Sequence, residues 1–307
     1  MKLVATSVVR GSHQGESHGG VYLLDLERQE VSQPIDWNRG DIDWSGRGWD
    51  RGLRGIAFDG EVVYIAASDE LFAYTPSFRR IGSWRNPYLR HCHEICVWER
   101  KLFLTSTGFD AVLGFDLDRR GFDWAMQISV EDDRFRAVLF DPGRDDGPLM
   151  LNRLHLNNVH CTPGGMYLSG LNTGGMLHFN GRNVYMAASL PAGTHNARPF
   201  RDGVLFNDTR ADALRYAGRG EGEEDRAFRV PVPPAGELLH MDADTSGVAR
   251  PGFARGLCVL NERLVAGGSS PSTITLYDLP ANRRVLSVNL SMDVRNAIHG
   301  LEVWPFG

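Results

Sequence analysis

The chain has 307 residues, 42% of them hydrophobic and 23% charged, and a formal net charge of −5. This is the composition of a soluble globular protein with a large core, and it lacks the basic excess that nucleic-acid binders use against phosphate. No stretch approaches the roughly 18 apolar residues of a membrane helix, and "MKLVATSVV" is too short and strand-like for a signal peptide. We therefore expect a soluble cytoplasmic protein with no nucleic-acid or membrane partner.

Short β-branched and aromatic runs bounded by Gly, Asp, Asn and Pro recur along the chain, whereas no long window keeps helical apolar spacing. The runs come in pairs, in which a polar residue opens an apolar strand and a tight turn leads to a second strand. Five such pairs follow in chain order: "RGIAFDGEVVYIAAS", "HEICVWERKLFLTST", "NNVHCTPGGMYLSGL", "HNARPFRDGVLFNDT" and "RGLCVLNERLVAGGS". The step from the polar residue to the second strand is constant: Arg54 to Val63, His93 to Leu102, Asn157 to Met166, His195 to Val204 and Arg255 to Leu264. A constant step of this kind indicates a repeat architecture.

Each pair continues into a third strand, as in "DELFAYTP", "DAVLGFDL" and "STITLYDL", and most continue into an edge-like fourth, as in "RRIGSW" and "RRVLSVNL". The C-terminal "IHGLEVWPFG" has a first strand but no second, while "KLVATSVV" and "GGVYLLDL" at the N-terminus have no first. Pairing the two ends completes a sixth four-stranded unit. The charged stretch "EDDRFRAVLFDPGRDDGP" is interpreted as an insertion.

The sequence therefore predicts an all-β, six-bladed β-propeller of four-stranded antiparallel blades, closed by pairing the C-terminal strand with the N-terminal blade. It predicts one domain over residues 1–307, with inner strands that start near residues 54, 93, 157, 195, 255 and 299. A seven-bladed ring with one degenerate blade and a β-sandwich are the alternatives. The four cysteines form no CxxC pair, so we expect reduced thiols rather than a zinc ribbon.

The predicted chain resembles the broad group of six-bladed propellers that includes the gluconolactonase-like and strictosidine-synthase-like proteins. The resemblance is one of architecture and covers nearly the whole chain. Gluconolactonase-like proteins carry a carboxylate-rich metal site, whereas histidine, arginine and asparagine open the inner strands here. That site is therefore not transferred to this chain, and fold by itself does not give function.

First strands line the central channel of a propeller, so the residues that open them should converge on the axis. In ring order these residues are His299, Arg54, His93, Asn157, His195 and Arg255. The histidines fall on alternate blades, and three neutral imidazoles suit one transition-metal ion, namely Fe, Zn, Cu, Ni or Mn. We predict His93, His195 and His299 as its ligands. Polar side chains that satisfy only water and backbone groups in a wet channel are the alternative.

Further polar residues flank these positions. His91 and His155 precede their inner strands at the same offset, and with Glu94 they are predicted as catalytic proton-transfer groups. Asn158 and Asn196, like Glu94, are placed to orient imidazoles. Arg54, Asn157 and Arg255 are predicted to bind substrate, because guanidinium groups in a channel favour a small anionic molecule. A structural salt bridge would explain these arginines equally well.

Two loops are expected at the same face. Residues 36–52, with three tryptophans and several carboxylates, have the composition of a lid over a pocket or of a surface loop. The N-terminal "RGSHQGESHGG" adds His13 and His18, to which the pattern assigns no role.

The sequence thus supports two classes of function. The first is a mononuclear metalloenzyme, with its ion on His93, His195 and His299, acting on a small anionic substrate; lyase, hydrolase and oxygenase chemistry stay open. The second is a non-catalytic propeller that binds a peptide or protein partner across the ring face.

Overall fold

The computed structural model describes residues 1–13, 15–38, 52–242 and 249–307. Within these residues the chain forms 25 β-strands and two single-turn 3-10 helices, Thr107–Phe109 and Ala235–Glu237. No helix in the described part of the chain is long and apolar enough to cross a membrane. The prediction of an all-β protein is confirmed.

The strands form six antiparallel sheets, and three of them contain the N-terminal part of the chain. The first contains, in spatial order, β25 (Asn296–Val303), β1 (Lys2–Val9), β2 (Gly19–Asp25) and β3 (Glu30–Asp36). The second contains β4 (Leu53–Asp59), β5 (Val62–Ala67), β6 (Glu70–Tyr74) and β7 (Arg80–Arg85). The third contains β8 (Ile95–Trp98), β9 (Lys101–Ser106), β10 (Ala111–Asp116), β11 (Gly121–Glu131) and β12 (Arg134–Phe140).

The remaining three sheets follow the same meander. The fourth contains β13 (Leu156–Thr162), β14 (Gly165–Gly170), β15 (Gly175–Phe179) and β16 (Val184–Ser189). The fifth contains β17 (Thr194–Phe200), β18 (Gly203–Asp208), β19 (Ala213–Gly218) and β20 (Arg226–Arg229). The sixth contains β21 (Arg255–Val259), β22 (Leu264–Ser269), β23 (Thr273–Asp278) and β24 (Arg283–Asn289).

Six sheets of this kind confirm the six-bladed propeller, including the predicted pairing of the C-terminal strand β25 with β1. One detail differs from the prediction. Residues 134–140, interpreted as part of an insertion, form the fifth strand β12, which pairs with β11 across a tight turn. Exposed and partly buried residues alternate along this strand, as expected for an edge strand with one solvated face. Its charged residues made this alternation hard to recognise in the sequence.

The chain divides into two compact units: unit 1, residues 1–56 and 200–307, and unit 2, residues 57–199. The core of unit 1 includes Leu3, Ile298 and Leu301, and that of unit 2 includes Leu104, Leu113 and Leu168. Middle strands such as β6 are buried throughout and inner strands such as β4 are mostly buried, whereas outer strands such as β24 are mostly exposed. This explains why second and third strands have continuous apolar runs. The prediction of a single domain stays a prediction.

The first strand of each sheet is an edge, so some of its backbone groups have no partner within the sheet. Buried polar side chains bond these groups. In unit 2, Asn158 Nδ2 donates to the Ala197 carbonyl at 2.6 Å, and in unit 1, Asn207 Nδ2 donates to the Gly256 carbonyl at 3.0 Å. Such side chains link neighbouring sheets where ladder hydrogen bonds end.

His160, on β13, lies away from the predicted site positions and has an unusual environment. Burial, with a smaller effect from the positive charge of Arg198, lowers its pKa to about 3. The imidazole is therefore neutral in the folded protein at neutral pH, whereas in the unfolded chain it gains a proton below its ordinary pKa of about 6.5.

Replacing Asn158 with Ala should lower the free energy of unfolding by about 1–3 kcal/mol, because the buried Ala197 carbonyl loses its donor. The matched control is Asn172→Ala, since the exposed Asn172 makes the same kind of bond, to the Arg153 carbonyl at 2.9 Å. Urea unfolding at pH 7 measures both. Equal losses in the two variants would contradict this role for Asn158.

Acid should destabilise the protein through His160. The contribution of neutral His160 to the free energy of unfolding is complete above about pH 6.5 and is lost as the pH falls towards 3. In this range His160 binds a proton in the unfolded chain but not in the folded protein. When the pH is lowered from 7 to 4.5, the free energy of unfolding should fall by about 2 kcal/mol less in His160→Gln than in the wild type. His240→Gln, at an exposed histidine, serves as the control and should track the wild type.

Candidate functional site

All six predicted ring positions lie at or near the start of a first strand and are buried, with exposed fractions between 1% and 6%. Their distribution is as follows: His93, Asn157 and His195 belong to unit 2, and Arg54, Arg255 and His299 belong to unit 1. The repeat therefore located these side chains correctly along their strands. Each unit has its own cluster.

In unit 2 three imidazoles lie together, here called the histidine cluster: His93, His155 and His195. The ring centroids of His93 and His155 are 5.5 Å apart, and those of His93 and His195 are 6.3 Å apart. His155, predicted as a proton-transfer group, thus neighbours a predicted metal ligand. His91, its counterpart before β8, has an exposed side chain and contributes its carbonyl instead.

The hydrogen bonds of the cluster define its tautomers. His93 Nδ1 lies 2.7 Å from the His91 carbonyl and 2.9 Å from Thr107 Oγ1, whose hydroxyl donates to the Leu156 carbonyl at 2.6 Å. Nδ1 therefore carries the proton. His195 Nδ1 lies 3.2 Å from the Gly193 carbonyl, which requires the same tautomer. When these imidazoles are neutral, the lone pair of each is on Nε2.

Two amide side chains stand beside these rings. Asn196 Nδ2 donates to Glu94 Oε1 at 2.6 Å, which holds the predicted catalytic carboxylate in place. Asn157 is 1% exposed and its Nδ2 donates to the Thr194 carbonyl at 3.1 Å, next to His195. Its Oδ1 is buried and accepts no hydrogen bond from the described residues. Asn157, a predicted substrate contact, therefore has an acceptor available.

The backbone around the cluster is held in an uncommon conformation. His91, His155 and Asn196 have φ between 52° and 55°, in the left-handed region that β-carbon crowding makes costly for residues other than Gly and Asn. The buried Asp110 carboxylate holds the segment before His155, since Oδ2 accepts from the backbone N–H groups of Arg153 at 2.6 Å and Leu154 at 3.1 Å. Asp110 therefore stabilises this backbone segment.

Unit 1 contains the remaining predicted positions. Arg255 Nη1 donates to His299 Nε2 at 2.9 Å, and the Arg255 guanidinium carbon lies 4.7 Å from the centroid of the Phe253 ring. The Arg54 carbonyl accepts a hydrogen bond from Thr6, whose Oγ1 in turn accepts from the Gly300 backbone N–H at 2.8 Å. The predicted metal ligand His299 is thus bonded through Nε2 to the predicted substrate contact Arg255.

The predicted ligand set of His93, His195 and His299 spans both units and stays a prediction. Within the described ranges no three His, Cys, Asp or Glu side chains stand close enough together to hold a metal ion. The lid interpretation of residues 36–52 falls mainly on residues 39–51, which lie outside the described part of the chain. His18 is fully buried, and its Nδ1 is hydrogen-bonded to the Ser12 hydroxyl.

Sequence reasoning missed the threonines at the end of β9. Thr107 Oγ1 contacts His93 Nδ1, while Thr105 Oγ1 accepts from the backbone N–H groups of His93 and Glu94, both at 3.0 Å. The available signal was the position of "TST" at the end of a second strand, beside the start of the first. Phe253 had no such signal, because its role depends on Arg255 folding over the ring.

No family model and no curated protein matches this chain. Among solved structures, this chain is similar to a chain from a nidogen/laminin complex. The alignment covers 99% of this chain and 98% of that chain, with 12% identity and a TM-score of 0.59. The C-terminal WD40 domain of Sif2 covers 100% and 88%, with 9% identity and a TM-score of 0.50. A streptogramin B lyase covers 75% and 70%, with 12% identity and a TM-score of 0.44. The first two of these comparisons support the propeller fold alone, and the narrower gluconolactonase-like type stays a prediction.

Proposed function

We propose that this propeller is a metal-dependent enzyme that acts on a small molecule at the histidine cluster of unit 2. The observation that carries the proposal is the matched tautomer of His93 and His195, each of which has its Nδ1 proton bonded to a backbone carbonyl. Metal-binding histidines show this arrangement, since the outer hydrogen bond fixes the ring and places the lone pair on the other nitrogen. Two such rings at 6.3 Å form a pair of neutral nitrogen donors.

The donor set fits a transition-metal ion, for which imidazole nitrogen is a preferred ligand. His93 and His195 would hold the ion, and an ion with open positions would polarise a substrate oxygen or activate water or dioxygen. His299 is left out of this set because its Nε2 accepts from Arg255 within unit 1. Lyase, hydrolase and oxygenase chemistry remain alternatives, which the identity of the metal would narrow.

The other residues of the cluster have separate roles in this proposal. His155 Nδ1 lies 3.0 Å from Asn152 Oδ1, so its Nε2 also has a lone pair and can take a proton from substrate or water. Glu94, oriented by Asn196, is a second group able to hold a proton. Asn157 Oδ1 would accept a hydrogen bond from a hydroxyl or amine of the substrate, because it is a buried acceptor without a donor among the described residues. The anion contacts predicted for Arg54 and Arg255 stay a prediction.

Elemental analysis of purified, tag-free protein tests the metal. Near-stoichiometric Fe, Zn, Cu, Ni or Mn is expected in the wild type, with at least about a tenfold decrease in the double variant His93→Ala, His195→Ala. His240→Ala, at an exposed histidine, is the matched control and should keep the metal. No metal in the wild type after anaerobic reconstitution with each ion would refute the proposal.

His155→Gln separates two roles of the third imidazole. Full metal content in this variant would assign His155 to proton transfer, whereas a loss equal to that of the double variant would make it a third ligand. Both results keep the metal site in unit 2.

A second candidate function is binding of a protein partner, favoured by one surface feature of unit 2. Leu149, Met150 and Leu151 are consecutive apolar residues with exposed fractions of 76%, 57% and 50%. They directly precede the segment that carries His155, and the Asn152 backbone N–H is anchored on the Gly108 carbonyl at 3.1 Å. Contiguous exposed apolar residues are typical of interaction surfaces. One structure of similar fold comes from a nidogen/laminin complex.

The double variant Leu149→Ser, Leu151→Ser tests this second candidate. A specific partner, captured by crosslinking and identified by mass spectrometry, should be lost from this variant, because its apolar anchors are removed. Val285→Ser, at an exposed apolar residue outside the segment, is the control and should keep the partner. The His93→Ala, His195→Ala variant should also keep it, and a partner captured equally by all the proteins would contradict this candidate.

A further inference from the structure

Two of the four cysteines lie together on neighbouring first strands of unit 2. Cys96 is on β8 and Cys161 is on β13, 65 residues later in the chain. The Cys161 backbone N–H donates to Cys96 Sγ at 3.4 Å. Both side chains are half-buried, whereas Cys92 and Cys258 are 0% and 1% exposed. None of the four is in a disulfide, and the proposed function uses none of them.

The two sulfurs are placed for a covalent bond. Since the Cys161 nitrogen is 3.4 Å from Cys96 Sγ, the Cys161 α-carbon lies within roughly 5 Å of that sulfur. The protonated Cys96 thiol donates to the Val97 carbonyl at 3.7 Å. A disulfide needs β-carbons about 3.5–4.5 Å apart, a separation that the backbone sets. Rotation about the Cα–Cβ bonds then brings the two sulfurs together.

The hydrogen bonds give the two thiols different roles. A hydrogen bond to Cys96, together with burial, raises the pKa of the Cys161 thiol, so Cys161 keeps its proton. The Cys161 backbone N–H donates to the Cys96 sulfur, and a donor directed at a sulfur favours its negative form. Cys96 is therefore the nucleophile and Cys161 the resolving thiol.

A cavity lined by Cys161 lies beside this pair, and Cys96 is reached through the Cys161 side of it. It has a volume of about 390 Å³, and its walls include Cys161, Met166, Phe103, Trp98 and Trp124. Trp98 and Thr162 are the last residues of β8 and β13, so the cavity lies at the opposite ends of these strands from Glu94 and Asn157. A small uncharged oxidant such as hydrogen peroxide can enter between these apolar walls.

We propose that Cys96 and Cys161 form a reversible disulfide that joins the third and fourth sheets in response to a hydroperoxide. The Cys96 thiolate attacks one peroxide oxygen and breaks the O–O bond, which gives a sulfenic acid and hydroxide. The Cys161 sulfur then displaces the sulfenic hydroxyl, which leaves as water once the Cys161 proton has been transferred. The two thiols lose two electrons and two protons, and the peroxide becomes two water molecules. A dithiol reductant reverses the bond by thiol–disulfide exchange.

The disulfide is a modification site distinct from the histidine cluster and does not depend on the proposed function. Its consequence for the fold is a covalent link between two strands. The bond would join β8 and β13, which carry Cys96 and Cys161, across 65 residues of chain. Closing a long loop restricts the unfolded chain, so the oxidised protein should be the more stable form.

Hydrogen peroxide treatment of the full chain, followed by denaturation and alkylation with N-ethylmaleimide, tests the proposal. The wild type should lose about 2 Da, the mass of two hydrogens, and take up two alkyl groups instead of four. Peptide mapping without reductant should join the Cys96 and Cys161 peptides, and dithiothreitol should restore all four thiols. The melting temperature should rise by several degrees in the oxidised, monomeric protein.

Variants assign the two roles. Cys161→Ser should form no crosslink and should leave a sulfenic acid on Cys96 that dimedone traps, whereas Cys96→Ser should leave Cys161 unreactive. The control Cys258→Ala, at a buried cysteine outside the pair, should form the disulfide as the wild type does. Four titratable thiols in the wild type after peroxide treatment, a bond between another pair, or overoxidation of Cys96 without a crosslink would each overturn the proposal. The wild-type map decides this even where a variant fails to fold.

Discussion

The unpaired edge of each first strand is the constraint on which the rest of this structure depends. A propeller sheet begins with an edge strand, and a buried backbone group without a partner costs about 1–3 kcal/mol. The chain meets this cost with side chains: Asn157 and Asn158 in unit 2 bond the carbonyls of Thr194 and Ala197, and Asn207 in unit 1 bonds that of Gly256. Polar residues at strand starts are therefore part of the architecture before they are part of any site.

The histidine cluster makes use of this constraint. The carbonyls of His91 and Gly193, which precede β8 and β17, each accept from an imidazole Nδ1, so the lone pair of each neutral ring is on Nε2. The equivalent position in unit 1 is used differently, since His299 Nε2 accepts from Arg255. One repeated position thus gives a donor pair in one unit and an internal hydrogen bond in the other. The left-handed backbone at His155 and Asn196 is stabilised by surrounding bonds such as those of Asp110.

The strands β8 and β13 carry different chemistry at their two ends. Polar side chains precede or open them, and an apolar cavity lined by Cys161, with Cys96 beside it, lies near their last residues. The first residues of both strands are buried and the later ones are partly exposed. Two independent reactive groups can therefore share one pair of strands without sharing a pocket.

The sequence by itself determined the number of blades, the pairing of the two chain ends and the position of each polar residue along its first strand, because all of these follow from period, apolar runs and turn chemistry. It also named His155 and Glu94 as proton-transfer groups at the same face, although it did not predict that the His155 ring contacts that of His93. It did not reveal the fifth strand β12, the contact of Arg255 with His299, the threonine behind His93 or the meeting of Cys96 with Cys161. Only the tertiary structure decided these. A repeat specifies the position of a residue along its strand, whereas the partners of its side chain depend on how separate sheets pack against each other in space.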